Sequence, residues 1–304
     1  MASAAYSPIM AIRQVLELNC DPSHGACNLY WVTDIWQTVK ATGCSSLLTG
    51  AMGNGGISWT GDIHSQSLLY RMSNLSLSEI VKYMCNISKR HIKSVMPAEL
   101  HIVVQRYRME KKQWWRTTAI HPDFARRIGL FELRLAEQNN QTLKSAREQR
   151  YSVLMPGRSI AGASASELGA AYGLSMLDPT ADARLLEFTS SVPDRIFIDP
   201  ETGTDRWLIR EAMKGYLPEE ARLNRKRGLQ ASDLVLRLRA FAGDTETALA
   251  ELANGAAAAY VDVDNLRRVW QVILTEDTAA SFIMASNVLT RGIMAGLFVN
   301  RFYA

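Results

Sequence analysis

SSLLTGAMGNGG, residues 45–56, is the most informative stretch of this chain, because a short apolar run ends there in a loop with four glycines in seven residues. Gly43 precedes it, where the glycine that ends a helix is expected. Helix, glycine, buried strand and glycine-rich turn is the order of an α/β unit, in which ligands bind at the carboxyl ends of strands. The helix is predicted by apolar residues at the i, i+3, i+4, i+7 spacing, which are Val32, Ile35, Trp36 and Val39.

The glycine loop itself admits two interpretations. Its glycines would let a phosphate group approach the backbone, or they would form a tight connection that binds nothing. It is not a Walker A loop, because Gly56 stands where that motif has its lysine, and it does not read G-x-G-x-x-G. Both interpretations stay open on the loop alone.

Composition indicates an ordinary globular protein. The 304 residues are 47% apolar and 21% charged, which is enough for a large core in one large domain or two smaller ones. The net charge of +4 is too mild to indicate a nucleic-acid partner. The densest basic run, residues 106–116, is predicted to be a solvated surface.

The cysteines and the amino terminus argue against a zinc-binding protein and against a secreted or membrane protein. The four cysteines lack C-x-x-C spacing, so we predict that they form no zinc site. We expect their thiols to be reduced. The first twenty residues lack a basic n-region, and no window approaches the apolar length of a membrane span. We therefore expect a cytoplasmic protein with no membrane contact.

Beyond the glycine loop the chain is predicted to be mainly helical. Ser164 with Glu167 forms a capping box before an alanine-rich helix. Asp178 followed by Pro179 is predicted to be the N-cap and first position of another helix. The last stretch, roughly 263–302, is predicted to form two more helices.

Three separated groups of residues together resemble the synthetase domain of the asparagine synthetase family. No single group is specific, but they follow one another in the family's order and at similar spacings over most of the chain. In this sequence the groups are LLTG at 47–50 with NLYW at 28–31, MLD at 176–178 with RLLEF at 184–188, and WLIREAM at 207–213 with LPEE at 217–220 and RKRGL at 225–229.

The resemblance implies a helix-rich α/β fold, a partial adenine-nucleotide alpha-hydrolase-like (PP-loop ATPase) fold with a large C-terminal helical part. Residues 1–304 would then be a single synthetase domain, with the end of the nucleotide-binding α/β part at about 1–65 and a mainly helical part at 66–304. The family's N-terminal glutaminase domain and its Ser-Gly-Gly-x-Asp-Ser pyrophosphate loop are expected to be missing from this chain.

The same resemblance implies an ATP-dependent, AMP-forming amide ligase that uses magnesium. Such an enzyme activates a carboxylate, such as that of aspartate, as an acyl-adenylate that ammonia or an amine then attacks. The implied catalytic residues are Asp178 near the nucleotide pocket, Lys226 toward phosphate, and Asn54. The implied nucleotide-binding residues are Leu48, Thr49, Gly50 and Gly53.

The sequence also departs from the family in the glycine loop. Ala51, Asn54 and Gly55 stand where the family has carboxylates, and an asparagine holds magnesium more weakly because its oxygen is uncharged. Apart from catalysis, Asp178 would cap a helix in any case, and Lys226 lies in a basic run of the kind that is usually solvated.

Three hypotheses follow from the resemblance and the departures. The first is the asparagine-synthetase-like ligase, working with another chain that supplies the missing glutaminase and pyrophosphate-loop parts. The second is a lasso-peptide-cyclase-type macrolactam synthetase, whose substrate is a peptide carboxylate. The third is a non-catalytic remnant or partner subunit that retains the fold.

Overall fold

The computed structural model describes residues 6–61, 103, 107, 117–134, 136, 148, 150, 151, 154, 160–226 and 228–303. Within these ranges the chain is mainly helical and contains one parallel pair of strands. Strand β1 (Ser46–Leu48) pairs with β2 (Ser175–Leu177), and Leu47 lies opposite Met176 in the register. This architecture is compatible with the predicted helix-rich α/β class.

The helices are named in chain order. They are α1 (Pro8–Asn19), α2 (Leu29–Ala41), α3 (Pro122–Arg127), α4 (Ile160–Tyr172), α5 (Ala183–Ser191), α6 (Trp207–Ala212), α7 (Glu219–Arg222), α8 (Leu234–Ala240), α9 (Ala242–Asn254), α10 (Val263–Thr275), α11 (Ala279–Met284) and α12 (Thr290–Phe302). Short 3-10 turns lie at Ala26–Asn28, Ala51–Asn54, Pro179–Ala181, Asp194–Phe197 and Ala256–Ala259.

Helix α2 confirms the helix predicted before the glycine loop. Gly43 follows it with a φ of 74°, a left-handed conformation that glycine adopts without strain, and so ends the helix as expected. Trp36 is buried, whereas Ile35 is exposed, so the buried stripe lies slightly to one side of the predicted one.

One hydrophobic core joins the first helices to the C-terminal ones. Helix α1 packs against α2, α4 and α12, and α12 packs against α9. Glycines make the closest approach possible, because a Cβ on Gly296 would lie 2.5 Å from Leu252 and a Cβ on Gly292 2.5 Å from Ala119. Larger residues at these two positions would therefore require the neighbouring residues to move.

A polar cluster lies at the edge of this core. The Asp233 carboxylate accepts hydrogen bonds from the Tyr30 hydroxyl and, at 2.6 Å, from Arg237 Nε. The Arg237 guanidinium also lies 4.8 Å from the centre of the Tyr30 ring. Burial raises the pKa of Asp233, but the hydrogen bonds from Tyr30 and Arg237 and the positive charge of Arg237 together outweigh it, so this pKa lies below its ordinary value.

The end of the chain corrects the expectation that no stretch approaches the length of a membrane span. Residues 279–302 form one helical stretch, in which a π-helix (Ala285–Leu289) joins α11 to α12. Among the described residues, this one stretch is long and apolar enough to cross a membrane. However, 56% of its most apolar window is buried inside the protein, and a buried core helix has the same length and composition.

Further details of the sequence interpretation are corrected here, and two of its predictions lie outside the described residues. Strand β2 lies in the part predicted to be mainly helical, so the sheet extends beyond residue 65. Helix α4 begins at Ile160, so Ser164 lies inside it rather than at its start. Asp178 is an N-cap as predicted, but it caps the 3-10 turn Pro179–Ala181 rather than an α-helix. Helix α5 is capped by Asp182 instead. The expected boundary near residue 65 and nearly all of the basic run 106–116 lie outside the described residues.

Candidate functional site

The parallel pairing of β1 and β2 brings two loops together at the carboxyl ends of the strands. The Thr49 N–H donates to the Leu177 carbonyl at 2.8 Å, which extends the pairing by one residue. Each strand then enters a 3-10 turn, Ala51–Asn54 after β1 and Pro179–Ala181 after β2, and the two turns contact each other. This is the edge at which α/β folds bind ligands.

Asp178 holds the two turns together. Its Oδ2 accepts from the Met52 N–H at 2.8 Å, and its Oδ1 accepts from the Thr180 N–H at 2.9 Å and the Thr180 hydroxyl at 2.5 Å. One carboxylate therefore satisfies donors at the starts of two turns that are far apart in sequence. Both of its oxygens are already hydrogen-bonded in this arrangement.

The glycine loop is compact. The Gly53 N–H donates to the Gly50 carbonyl at 3.1 Å, and the Gly56 N–H donates to the Gly53 carbonyl at 3.1 Å. A Cβ on Gly55 would lie 2.9 Å from Cδ2 of Leu154, so a larger residue here would require the end of that side chain to move. These glycines serve backbone turns and close packing, while Asn54 and Ala51 are exposed.

Arg150 lies under the loop and was not singled out by the sequence analysis. Its guanidinium donates to the Gly55 carbonyl at 2.6 Å and to the Thr189 carbonyl at 3.1 Å. It also lies over the Trp59 and Phe197 rings, 4.6 and 5.0 Å from their centres. The side chain is only 7% exposed. No motif surrounds Arg150 in the sequence, so its hydrogen bond to the glycine loop becomes visible only in the folded chain.

The predicted nucleotide-binding residues lie at this edge. The Thr49 hydroxyl oxygen is buried, and in the described part of the chain it has no hydrogen-bond partner. Leu48 is 68% exposed and lies opposite Leu177, which is 51% exposed. A Cβ on Gly50 would meet only the Thr180 methyl group, at 3.9 Å. The edge thus offers an apolar surface, an open backbone and one unsatisfied hydroxyl.

Lys226 lies in the segment that follows α7. It is exposed, and its N–H donates to the Asn224 side-chain oxygen at 2.9 Å. Arg222, four residues earlier, is buried and pairs with Glu211 and Glu219, each at 2.8 Å. The hydrogen bond from Arg222 lowers the pKa of Glu219. Within the described ranges, no hydrogen bond or ion pair joins Lys226 to Asp178 or to the glycine loop.

A magnesium site does not fit the residues described at this edge. Groups of three or more His, Cys, Asp or Glu that could hold a metal are absent from the described part of the chain. Asp178 is the carboxylate at hand, and both of its oxygens already accept hydrogen bonds. By contrast, the open backbone at Gly50 leaves space for a nucleotide, toward which the buried Thr49 hydroxyl would have to turn.

Comparison with known proteins identifies the family. The family model for asparagine synthase matches residues 48–288, which include the last residue of β1, the glycine loop, Asp178 and Lys226. Searches of curated proteins and of solved structures find no match. The matched range covers most of the chain and has both candidate loops within it. This chain therefore belongs to the asparagine synthase family.

Proposed function

We propose that this chain is the synthetase part of an AMP-forming amide ligase that joins ammonia or an amine to a carboxylate such as that of aspartate. Membership of the asparagine synthase family supports a general role in ATP-dependent formation of carbon–nitrogen bonds. The observation that carries the proposal is the pairing of β1 with β2, because it brings Thr49 and Asp178, which are distant in sequence, to one strand edge.

In this proposal the chain's own residues bind and orient the nucleotide. Bound ATP supplies the adenylyl group that activates the carboxylate. The Thr49 hydroxyl would form its missing hydrogen bond with the nucleotide, and exposed Leu48 would contact its apolar surface. Asp178 would act by keeping the two turns in place. Lys226 would supply positive charge toward the phosphates, where charge accumulates as pyrophosphate leaves.

A partner chain that carries the pyrophosphate loop is part of the proposal. Parallel strands are usually covered on both faces, yet Leu48 and Leu177 are exposed on the same face of the β1–β2 pair. A partner that covered these two leucines would bring its own groups next to Thr49. The carboxylate ligands for magnesium would then come from residues other than those that the structure describes.

Exchange of labelled pyrophosphate into ATP tests the proposal. The chain is assayed alone and with candidate partner chains, with aspartate and, for the macrolactam variant, with a peptide that bears a free side-chain carboxylate. We expect exchange that depends on the acid and is lost in Lys226→Ala, whereas Lys214→Ala, an exposed lysine twelve residues earlier, retains it. If no acid and no partner supports exchange, the ligase proposal is wrong.

The same site also supports a second candidate, a non-catalytic subunit that retains the fold. The observation in its favour is that both oxygens of Asp178 accept hydrogen bonds from the two turns, while Ala51 and Asn54 carry no charge. Calorimetric titration with ATP separates the candidates, because a non-catalytic subunit that has lost the site shows no saturable binding while remaining folded.

A further inference from the structure

Two arginines join the segment that carries Lys226 to α6 by bonding to each other's backbone. The Arg210 guanidinium donates from Nη1 to the Arg222 carbonyl and from Nη2 to the Asn224 carbonyl, the latter at 3.0 Å. In return, Arg222 Nη1 donates to the Arg210 carbonyl at 3.1 Å. These bonds attach the backbone of residues 222 and 224 to α6.

All three nitrogens of the Arg210 guanidinium donate to backbone carbonyls. The third, Nε, donates to the Asp205 carbonyl at 2.9 Å, so one side chain connects the residues before α6 with those after α7. The side chain is only 11% exposed. A guanidinium presents its donors in a fixed planar fork, whereas a lysine has a single nitrogen at the end of a flexible chain. A lysine at position 210 would therefore keep the charge but could not hold three carbonyls at once.

Arg222 ties α6 and α7 together, and Asn224 extends the connection to Lys226. Arg222 pairs with Glu211 of α6 and with Glu219 of α7. The Asn224 side-chain oxygen accepts from the Lys226 N–H, so the contacts continue from α6 to Lys226. The three stretches in the last of the groups that resemble the family therefore contribute to one hydrogen-bonded unit.

We propose that Arg210 is a positioning residue for Lys226, which it places through the backbone of residues 222–224. This inference rests on the proposed function, in which Lys226 supplies positive charge as pyrophosphate leaves. Lys226 is exposed and its side chain is flexible, so the place from which it extends depends on the backbone that carries it. A displacement of about 1 Å at a reacting group can cost roughly 100-fold in rate, even when the mutation lies far from the chemistry.

Hydrogen exchange measured by mass spectrometry tests the attachment on the full chain and does not require activity. The test variant is Arg210→Lys. Its matched control is Arg239→Lys, because Arg239 also donates to two carbonyls, those of Ile273 and Glu276, both at 2.6 Å. We expect the amides of residues 219–226 to exchange at least about fivefold faster in Arg210→Lys, since charge-assisted hydrogen bonds are lost, and at the parent rate in Arg239→Lys. Unchanged exchange over 219–226 in a folded Arg210→Lys, as judged by its thermal midpoint, would overturn the proposal whatever the activity.

Exchange of labelled pyrophosphate into ATP tests whether the attachment serves the reaction. We expect Arg210→Lys to lower the rate at saturating ATP at least about tenfold and to leave the KM for ATP within about twofold, because Lys226 acts as the leaving charge develops. A change in KM alone, or a parent rate despite faster hydrogen exchange, would refute the positioning role.

A second variant keeps the test decisive if Arg210→Lys does not fold. Asn224→Ala changes an exposed side chain and removes only the acceptor for the Lys226 N–H. It should lower the rate at saturating ATP with the same small effect on KM, and a parent rate in this variant would count against the proposal. A parent chain that shows no pyrophosphate exchange with any acid or partner would overturn the proposed function instead, while hydrogen exchange would still decide whether Arg210 fixes the segment.

Discussion

Replacing Thr49 by valine should separate the role of this residue in folding from its role in binding. The Thr49 hydroxyl oxygen is buried without a partner in the described structure, and valine has the same shape without the hydroxyl. An unsatisfied buried polar group costs about 1–3 kcal/mol. We therefore expect Thr49→Val to raise the free energy of unfolding by about 1 kcal/mol, whereas most substitutions lower it.

The same substitution should weaken nucleotide binding. If the hydroxyl bonds to ATP, its loss removes one hydrogen bond worth about 0.5–1.5 kcal/mol, or roughly a two- to tenfold rise in the dissociation constant. Urea unfolding and calorimetric ATP titration measure the two effects.

The matched control is Thr33→Val. Thr33 in α2 also has a buried hydroxyl without a partner in the described residues, and it is not among the predicted nucleotide-binding residues. It should show the stability gain with unchanged ATP affinity. Equal ATP affinity in Thr49→Val and the parent chain would refute the assignment of Thr49 to the nucleotide.

Three further substitutions test the rest of the structure. Arg150→Lys should lower the free energy of unfolding by about 2–3 kcal/mol in urea, because a single ammonium cannot reproduce the planar contacts of a buried guanidinium. Gly296→Ala should cost about 1–3 kcal/mol through its clash with Leu252, while Gly243→Ala, where a Cβ meets nothing within 4 Å, should not destabilise the chain. Because the pKa of Asp233 is lowered on folding, its ionised carboxylate stabilises the folded state fully above about pH 4, and this stabilisation is lost as the pH falls further. Asp233→Asn should therefore make the free energy of unfolding depend less on pH in this acid range.

Local patterns predicted the elements around the glycine loop because their signals are contained in a few neighbouring residues. The i, i+3, i+4, i+7 stripe and Gly43 predicted α2, and the apolar run predicted β1. Asp178 was predicted as an N-cap for the same reason, since a cap needs only its own turn. The family resemblance, confirmed by the match over residues 48–288, required three segments in order rather than one motif.

Contacts between distant parts of the chain could not be predicted in this way. Strand β2 is only three residues long, and its partner lies well over a hundred residues earlier in the chain, so no local period marks it. The bond from the Met52 N–H to Asp178 spans a similar separation. Arg150 has no motif around it, and its carbonyl partners exist only once the loop has folded. Helices at the end of the chain were predicted, but the apolar length of residues 279–302 was not. Polar residues are spread along this stretch, and it reaches the length of a membrane span only when its helical segments are taken together.

The backbone geometry of this site does not depend on the charges of the loop residues at positions 51 and 54. This independence bears on the choice between a ligase and a non-catalytic subunit. Asp178 holds the glycine loop through an N–H group, and Arg150 holds it through a carbonyl, so the loop is fixed by groups other than those at positions 51 and 54. Ala51 and Asn54 are exposed, and their replacement of family carboxylates therefore removes negative charge without disturbing the backbone. A site of this kind keeps its shape whether or not it turns over substrate. The intact fold is thus evidence for family membership. The proposed catalysis would depend on carboxylates that reach this edge from beyond the described residues.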